Sequence, residues 1–206
     1  MVFVVDDDAN VRGALARLIR SLGMQVETFA TGGEFLSCKV PEGPACIVLD
    51  MRLSGENGLM LQDTLRTSER GLPIIFITGH GTVPLCAQAL KAGAVDFLLK
   101  PVDEQDLLKA ISRAIEEDRH TQGNQRKHAA IAWRVATLTP REREVMALVV
   151  TGRPNKQIAE DLGTSEKTIK VHRGRVMQKM QAMSIADLVR MADTVGMDKA
   201  YPTLQP

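Results

Sequence analysis

Val2-Phe3-Val4-Val5-Asp6-Asp7-Asp8 runs four apolar residues straight into three carboxylates, and Cys46-Ile47-Val48-Leu49-Asp50 repeats the pattern with one. Runs this short, rich in Val, Ile and Phe, are strands rather than helices. Three further strand-like runs, Val26 to Phe29, Ile74 to Ile77 and Val95 to Leu98, make a set of five. Between them lie helical patterns: Val11 to Leu22, with Leu15, Leu18, Ile19 and Leu22 on one face, then Glu34 to Cys38, Gly58 to Arg66, Val83 to Lys91 and Asp103 to Ile115. Strands alternating with helices predict an α/β unit, a five-stranded doubly wound parallel sheet covered on both faces. Ligands of such sheets bind beyond the carboxyl ends of the strands, so the residues after each apolar run are the ones to read.

Those residues form a chemical set. The first strand ends in Asp6, Asp7 and Asp8, the third in Asp50, the fourth in Thr78-Gly79, and the fifth leads to Lys100-Pro101. Carboxylates brought to one edge repel one another, and an oxygen-only cluster of this kind suits Mg²⁺. The metal, Lys100 and the Thr78 hydroxyl would together offset the charge of a phosphoryl group. A carboxylate kept partly clear of the metal can attack phosphorus and form an acyl phosphate, and Asp50, alone on the central strand, is the best nucleophile. Taken singly, Asp6-Asp7-Asp8 reads as a solvated turn or helix cap, and Asp8 is expected to be only that. Thr78 alone is an ordinary strand-end hydroxyl. Their combination with Asp50 and Lys100 carries the chemistry.

The 206 residues, 44% hydrophobic and 25% charged, fit a globular chain of one or two domains. No apolar run approaches a membrane span, and the early acids do not suit a signal peptide, so a cytoplasmic location without membrane attachment is expected. Cys38, Cys46 and Cys86 form no even framework and no C-x-x-C, and read as buried thiols in a reducing compartment. The formal net charge of +1 is a sum of opposites: residues 1 to 133 carry −3, and residues 134 to 196 carry +4. Such asymmetry points to two domains with different partners. Residues 118 to 136 are polar and lose the periodicity, as a linker or a helix extension would, with Gly123 and Asn124 favouring a break.

The basic half reads as four short helices. Thr139-Pro140-Arg141-Glu142 combines a capping residue, a first-position proline and a capping-box glutamate. Asn155 is expected to cap the second helix and Gly163 to close it; Ser165 caps the third, and Ser184 with Asp187 the fourth. The third, from Glu166 to about Met180, buries Ile169, Val176 and Met180 and carries Lys167, Lys170, Arg173, Arg175 and Lys179. A basic helix after a short helix and a tight turn is a helix-turn-helix, whose second helix enters the major groove. With aromatics at 3%, stacking on single strands is poorly supported, and double-stranded DNA is the expected partner.

Asp6-Asp7, Asp50, Thr78 and Lys100-Pro101, at these separations, resemble the receiver domain of two-component response regulators, from Val2 to about Glu117. Thr139-x-Arg-Glu-x-Glu, Asn155-Lys156-x-Ile-Ala and Thr168-Ile169-Lys170-Val171-His172 resemble the LuxR-type helix-turn-helix. Together they look like the NarL/FixJ family, with a flavodoxin-like receiver over 1–117, a linker over 118–136 and a DNA-binding domain over 137–200. The resemblance implies a phosphorylation-dependent transcriptional regulator, and not an enzyme, in which Asp50 takes a phosphoryl group from a sensor histidine kinase. It further implies that Asp7, Asp50 and the Arg52 carbonyl bind Mg²⁺, with Asp6 acting mainly through water. Thr78 and Lys100 would hold the phosphoryl oxygens, and burial of Phe97 would accompany movement of Thr78.

In the basic domain, the positions of Lys170, Val171 and Gly174 would face bases, although a glycine offers no side chain and reading there then rests on Arg173 or on groove fit. Lys167, Thr168, Arg175 and Lys179 suit phosphates, Ser165 lies at the helix start, and His172 suits packing or a phosphate. The resemblance also implies a homodimer on phosphorylation, through the 83–91 helix and the 95–98 strand, with RNA polymerase as a partner and activation as the outcome. One departure stands out: Ser54 occupies a position where receivers usually have proline, which bears on the rigidity of the Met51 to Gly55 loop. The competing enzyme reading takes Asp6-x-Asp8 as the D-x-D of a haloacid-dehalogenase-type phosphatase, but Asp96, Asp103 and Glu104 fit its later acidic pair poorly. A third reading keeps DNA binding and makes the receiver an unphosphorylated dimerisation module.

Overall fold

The computed structural model describes residues 1–54, 56–67, 71–79 and 81–197; Gly55 and His80 lie outside the described residues. The chain divides into two compact units, Met1–Gln122 and Gly123 onward. The first contains β1 (Val2–Val5), α1 (Ala9–Ser21), β2 (Val26–Phe29), α2 (Gly32–Leu36), β3 (Cys46–Asp50), β4 (Arg52–Leu53), β5 (Glu56–Asn57), α3 (Gly58–Thr67), β6 (Ile74–Thr78), α4 (Val83–Lys91) and β7 (Asp96–Leu99). Five strands form one parallel sheet in the order β2-β1-β3-β6-β7, as the alternation of strands and helices predicts.

Period-two geometry sends successive side chains to opposite faces. Phe3 and Val5 enter one core with Phe35, Leu49 and Phe76, while Val2 and Val4 enter the other with Leu15, Ile19, Ile75, Leu107 and Ile111. Both faces are therefore dry, which explains the continuous apolarity of β1, β3 and β6. β4 and β5 form a small antiparallel hairpin, with Arg52 opposite Asn57 and Leu53 opposite Glu56. This hairpin is absent from the sequence reading because two-residue strands have no periodicity to detect.

α5 runs over Glu104–Ala136, so the break expected at Gly123-Asn124 does not occur. A helical glycine costs only about 1 kcal/mol relative to alanine, and the surrounding Gln, Arg, Lys and Ala residues favour a helix. Asp118 is buried in this helix: its Oδ2 accepts hydrogen bonds from the Ala45 N–H at 2.8 Å and the Gln122 amide at 2.6 Å.

The second unit contains α6 (Pro140–Val150), α7 (Asn155–Asp161), α8 (Glu166–Met180) and α9 (Ile185–Thr194) around Val145, Met146, Ile158, Ile169, Val176, Met180 and Leu188. The Thr139–Glu142 capping box forms as read, as do the caps at Ser165 and Ser184. Asn155 does not cap α7: Pro154 occupies that position without a side-chain bond. The Asn155 oxygen instead accepts from Arg173 at 2.9 Å. α7 closes in a Schellman motif, with Gly163 at φ 60° and the Thr164 N–H bonded to the Ala159 carbonyl at 2.9 Å. Ser165 then caps α8 immediately, producing the tight turn between the two helices.

Candidate functional site

The carboxyl ends of β1, β3 and β6, with the segment after β7, bring Asp6, Asp50, Thr78 and Lys100 to one edge. Asp6, Asp50 and Thr78 are buried. The Lys100 ammonium donates to Asp6 Oδ2 at 2.7 Å and to Asp50 Oδ2 at 2.5 Å. One oxygen from each of Asp6, Asp7 and Asp50 lies within 4.8 Å of the others. Three ionised carboxylates and one ammonium leave a formal charge of −2, and an all-oxygen donor set of this charge fits a hard divalent cation.

Local hydrogen bonds fix each carboxylate differently. Asp6 Oδ1 accepts from the Asp8 N–H, and the Asp6 carbonyl accepts from Arg12. Burial pushes the Asp6 carboxyl above its ordinary range, against the pull of Lys100. For Lys100, burial works against the charge, but the bonds to Asp50 and Asp6 prevail and hold its ammonium above the usual lysine range. Asp50 Oδ1 accepts from the Arg52 N–H at 3.0 Å. Asp7 is exposed, and its Oδ2 accepts from both the N–H and the hydroxyl of Ser54. These bonds, chiefly the hydroxyl's, lower the Asp7 carboxyl below its ordinary value. The loop that carries Ser54 is thus tied to Asp7.

Backbone packing sets the position of Asp50. A Cβ on Gly58 would lie 2.8 Å from the Asp50 carbonyl oxygen and 3.0 Å from the Phe76 ring, so α3 can begin this close to β3 only with glycine at its start. Thr78 pairs with Leu99 in the sheet, and its carbonyl accepts the Lys100 N–H at 2.8 Å. Phe97 is half-buried on the neighbouring strand, close against the Gly81 backbone. Asp8 caps α1, accepting from the Asn10 and Val11 N–H groups. It therefore serves the helix rather than the acidic cluster, which weakens the D-x-D reading.

The second candidate surface lies on α8. Lys167, Lys170, Val171, Gly174 and Arg175 are exposed, and Lys167, Lys170 and Arg175 carry no ion pair among the described residues. Ser165 caps the helix by accepting the Thr168 N–H at 3.2 Å, and the two hydroxyls are 2.8 Å apart. Arg173 is half-buried on Asn155, and His172 is half-buried with its Nδ1 sealed from solvent and without a hydrogen-bond partner. Lys179 differs from the other bases: it donates to Glu142 at 2.6 Å and to the Thr137 carbonyl at 3.1 Å. Its bond to Glu142 lowers that carboxyl below its ordinary value. Asn155, Glu142 and Ser54 escaped the sequence reading as partners, because capping motifs announce backbone bonds and not the long-range pairs these side chains make.

Residues 2–112 match the response regulator receiver domain, and residues 136–192 match the bacterial regulatory proteins of the luxR family. Nodulation protein W of Bradyrhizobium diazoefficiens is 48% identical over 95% of this chain and 86% of its own. The transcriptional regulatory protein FixJ of Azorhizobium caulinodans is 40% identical over 98% of this chain and 97% of its own. The solved structure of the response regulator StyR, 44% identical, superposes over 93% of this chain and 97% of its own with a TM-score of 0.83.

Proposed function

We propose, because the chain belongs to the NarL/FixJ family of response regulators, that Asp50 is the phosphoacceptor whose modification controls DNA binding by α8. The observation that carries this reading is the convergence of Lys100 on Asp6 and Asp50, beside Asp7, at the carboxyl edge of the sheet. An Asp50 carboxylate oxygen attacks the phosphorus of a phosphohistidine on the sensor kinase. The P–N bond breaks, the imidazole leaves, and an aspartyl phosphate forms. Asp6, Asp7, Asp50 and the Arg52 carbonyl would hold Mg²⁺, which when bound supplies neutralising charge to the phosphoryl oxygens. Lys100, paired with Asp50 before transfer, follows the charge as it moves from carboxylate to phosphoryl oxygen. The Thr78 hydroxyl donates to a second oxygen, and Phe97 turns inward as Thr78 moves.

We place the receiver at 1–117, a connecting segment, here helical, at 118–136 and the DNA-binding domain at 137–200. In that domain Lys170 and Val171 face base edges, with Arg173 beside them, while Ser165, Lys167, Thr168, Arg175 and the edge of His172 contact phosphates. Lys179 is reassigned from phosphate contact to internal support. Val83, Leu90 and Leu99 are exposed on α4 and β7, which supports a homodimer through that face on phosphorylation. The dimer reads two half-sites of promoter DNA and activates transcription with RNA polymerase in the cytoplasm. No helix among the described residues is long and apolar enough to cross a membrane.

The test is a comparison of parent and Asp50→Ala with and without a small-molecule phosphodonor, followed by phosphate incorporation and by DNA affinity. The parent should incorporate phosphate and tighten on DNA, and Asp50→Ala should do neither. An Asp50→Ala chain that responds to the phosphodonor like the parent would overturn this mechanism.

A further inference from the structure

We propose that Ser54 is a positioning residue for the metal-binding carboxylate of Asp7, a role that rests on the reading of the acidic cluster as a divalent-cation site. Ser54 lies in the loop after β4, and two of its groups meet one atom: the N–H donates to Asp7 Oδ2 at 3.1 Å, and the hydroxyl donates to the same oxygen. Proline at this position offers neither donor, because its nitrogen carries no hydrogen and its ring no hydroxyl. The substitution therefore adds two grips on a single oxygen that no proline-bearing receiver can make from this position.

Asp7 needs such a grip more than its neighbours do. Asp6 is buried and bonded to Lys100 and the Asp8 N–H, and Asp50 is buried and bonded to Lys100 and the Arg52 N–H. Asp7 is exposed, and without Ser54 its carboxylate would sample several rotamers in water. With Oδ2 held by Ser54, Oδ1 is the oxygen through which Asp7 would bind a cation.

Two effects of the grip oppose each other. Donors to Oδ2 draw some negative charge from the carboxylate, which weakens its attraction for a cation. They also orient the ligand before the cation arrives, and hydrogen-bond partners of metal ligands are typically worth about 10–100-fold in affinity or activity. Orientation wins here, because a carboxylate binding through one oxygen keeps that oxygen unshared, while the ordering cost of a solvent-exposed rotamer falls wholly on binding. Water around Asp7 reduces the effect to about three- to tenfold.

Calorimetric titration of the full chain with MgCl₂ tests this, using the parent, Ser54→Ala, Ser54→Pro and Ser54→Thr, each checked for folding by circular dichroism. Ser54→Ala keeps the N–H and loses the hydroxyl, so its Kd for Mg²⁺ should rise about three- to tenfold. Ser54→Pro loses both donors and should bind more weakly still. Ser54→Thr keeps both and should lie within about twofold of the parent, a rescue that a merely structural loop residue would not produce. Mg²⁺ binding by the parent that Ser54→Ala leaves unchanged or tightens overturns the role of Ser54 alone. No Mg²⁺ binding by the parent overturns the cation-site reading together with it.

Discussion

At the carboxyl edge of the sheet, polar groups from separate strands and loops interlock: Lys100 bridges Asp6 and Asp50, and Ser54 closes on Asp7. On α8 a single helix carries five bases, and only Lys167, Lys170 and Arg175 are exposed, while Arg173 and Lys179 are drawn toward Asn155 and Glu142. The contrast fits the ligands proposed for the two regions. A phosphoryl group and a small cation need convergent, desolvated groups, whereas a duplex needs a charged face presented outward. Counting charges describes the first region well and overstates the second.

Separating Lys179 from the other bases gives the largest effect expected. Lys179→Met should destabilise the second unit by about 2–3 kcal/mol in chemical denaturation, less than the ~3–5 kcal/mol of a fully buried broken pair because the lysine is partly exposed. Lys167→Ala should leave stability nearly unchanged. If Lys179→Met is as stable as the parent, the two groups of bases are not different in kind. The same pair predicts a pH dependence. The Glu142 carboxyl is held below its ordinary value of 4.5, so its contribution is present above that value and lost as pH falls through the depressed one. Glu142→Gln should flatten the acid limb of the stability curve.

The receiver edge can be strained from its backbone. Gly58→Ala places a methyl group against the Asp50 carbonyl oxygen and the Phe76 ring, and should cost about 1–3 kcal/mol in the first unit. Unchanged stability in a melting experiment would mean that the close approach of α3 to β3 is not needed. The smallest expected change concerns DNA. If all five bases of α8 displaced counterions from the duplex, the slope of log K against log salt would lie near −4 to −5 per subunit; if only the exposed Lys167, Lys170 and Arg175 did so, it would lie near −3. A slope near −3, insensitive to Lys179, sharpens the division within α8; the steeper slope restores Lys179 to the phosphate-binding set and adds Arg173 to it.

The legibility of each region follows from its locality. Asp6, Asp7, Asp50, Thr78 and Lys100 could be read because each lies at or just beyond a strand end, and a parallel sheet brings such ends to one edge. The Ser54–Asp7 bond spans 47 positions, and the hairpin that carries it is too short to leave a pattern. On α8 the buried stripe of Ile169, Val176 and Met180 was visible as helical spacing. The partners of Arg173 and Lys179 were not, because they lie on other helices. Residues 118 to 136 leave linker and helix extension both open for a different reason: a helix polar on most sides has no hydrophobic period, although its residue types favour the helix that forms.

Asp118 has a practical consequence for anyone dividing this protein. The motif residues end before it, and a receiver cut at Glu117 would contain all of them. Such a fragment would also leave the Ala45 N–H, at the entrance to β3, without the carboxylate that accepts it, and would remove the bond from Gln122 to the Gly43 carbonyl. The smallest piece that keeps these bonds extends to Gln122.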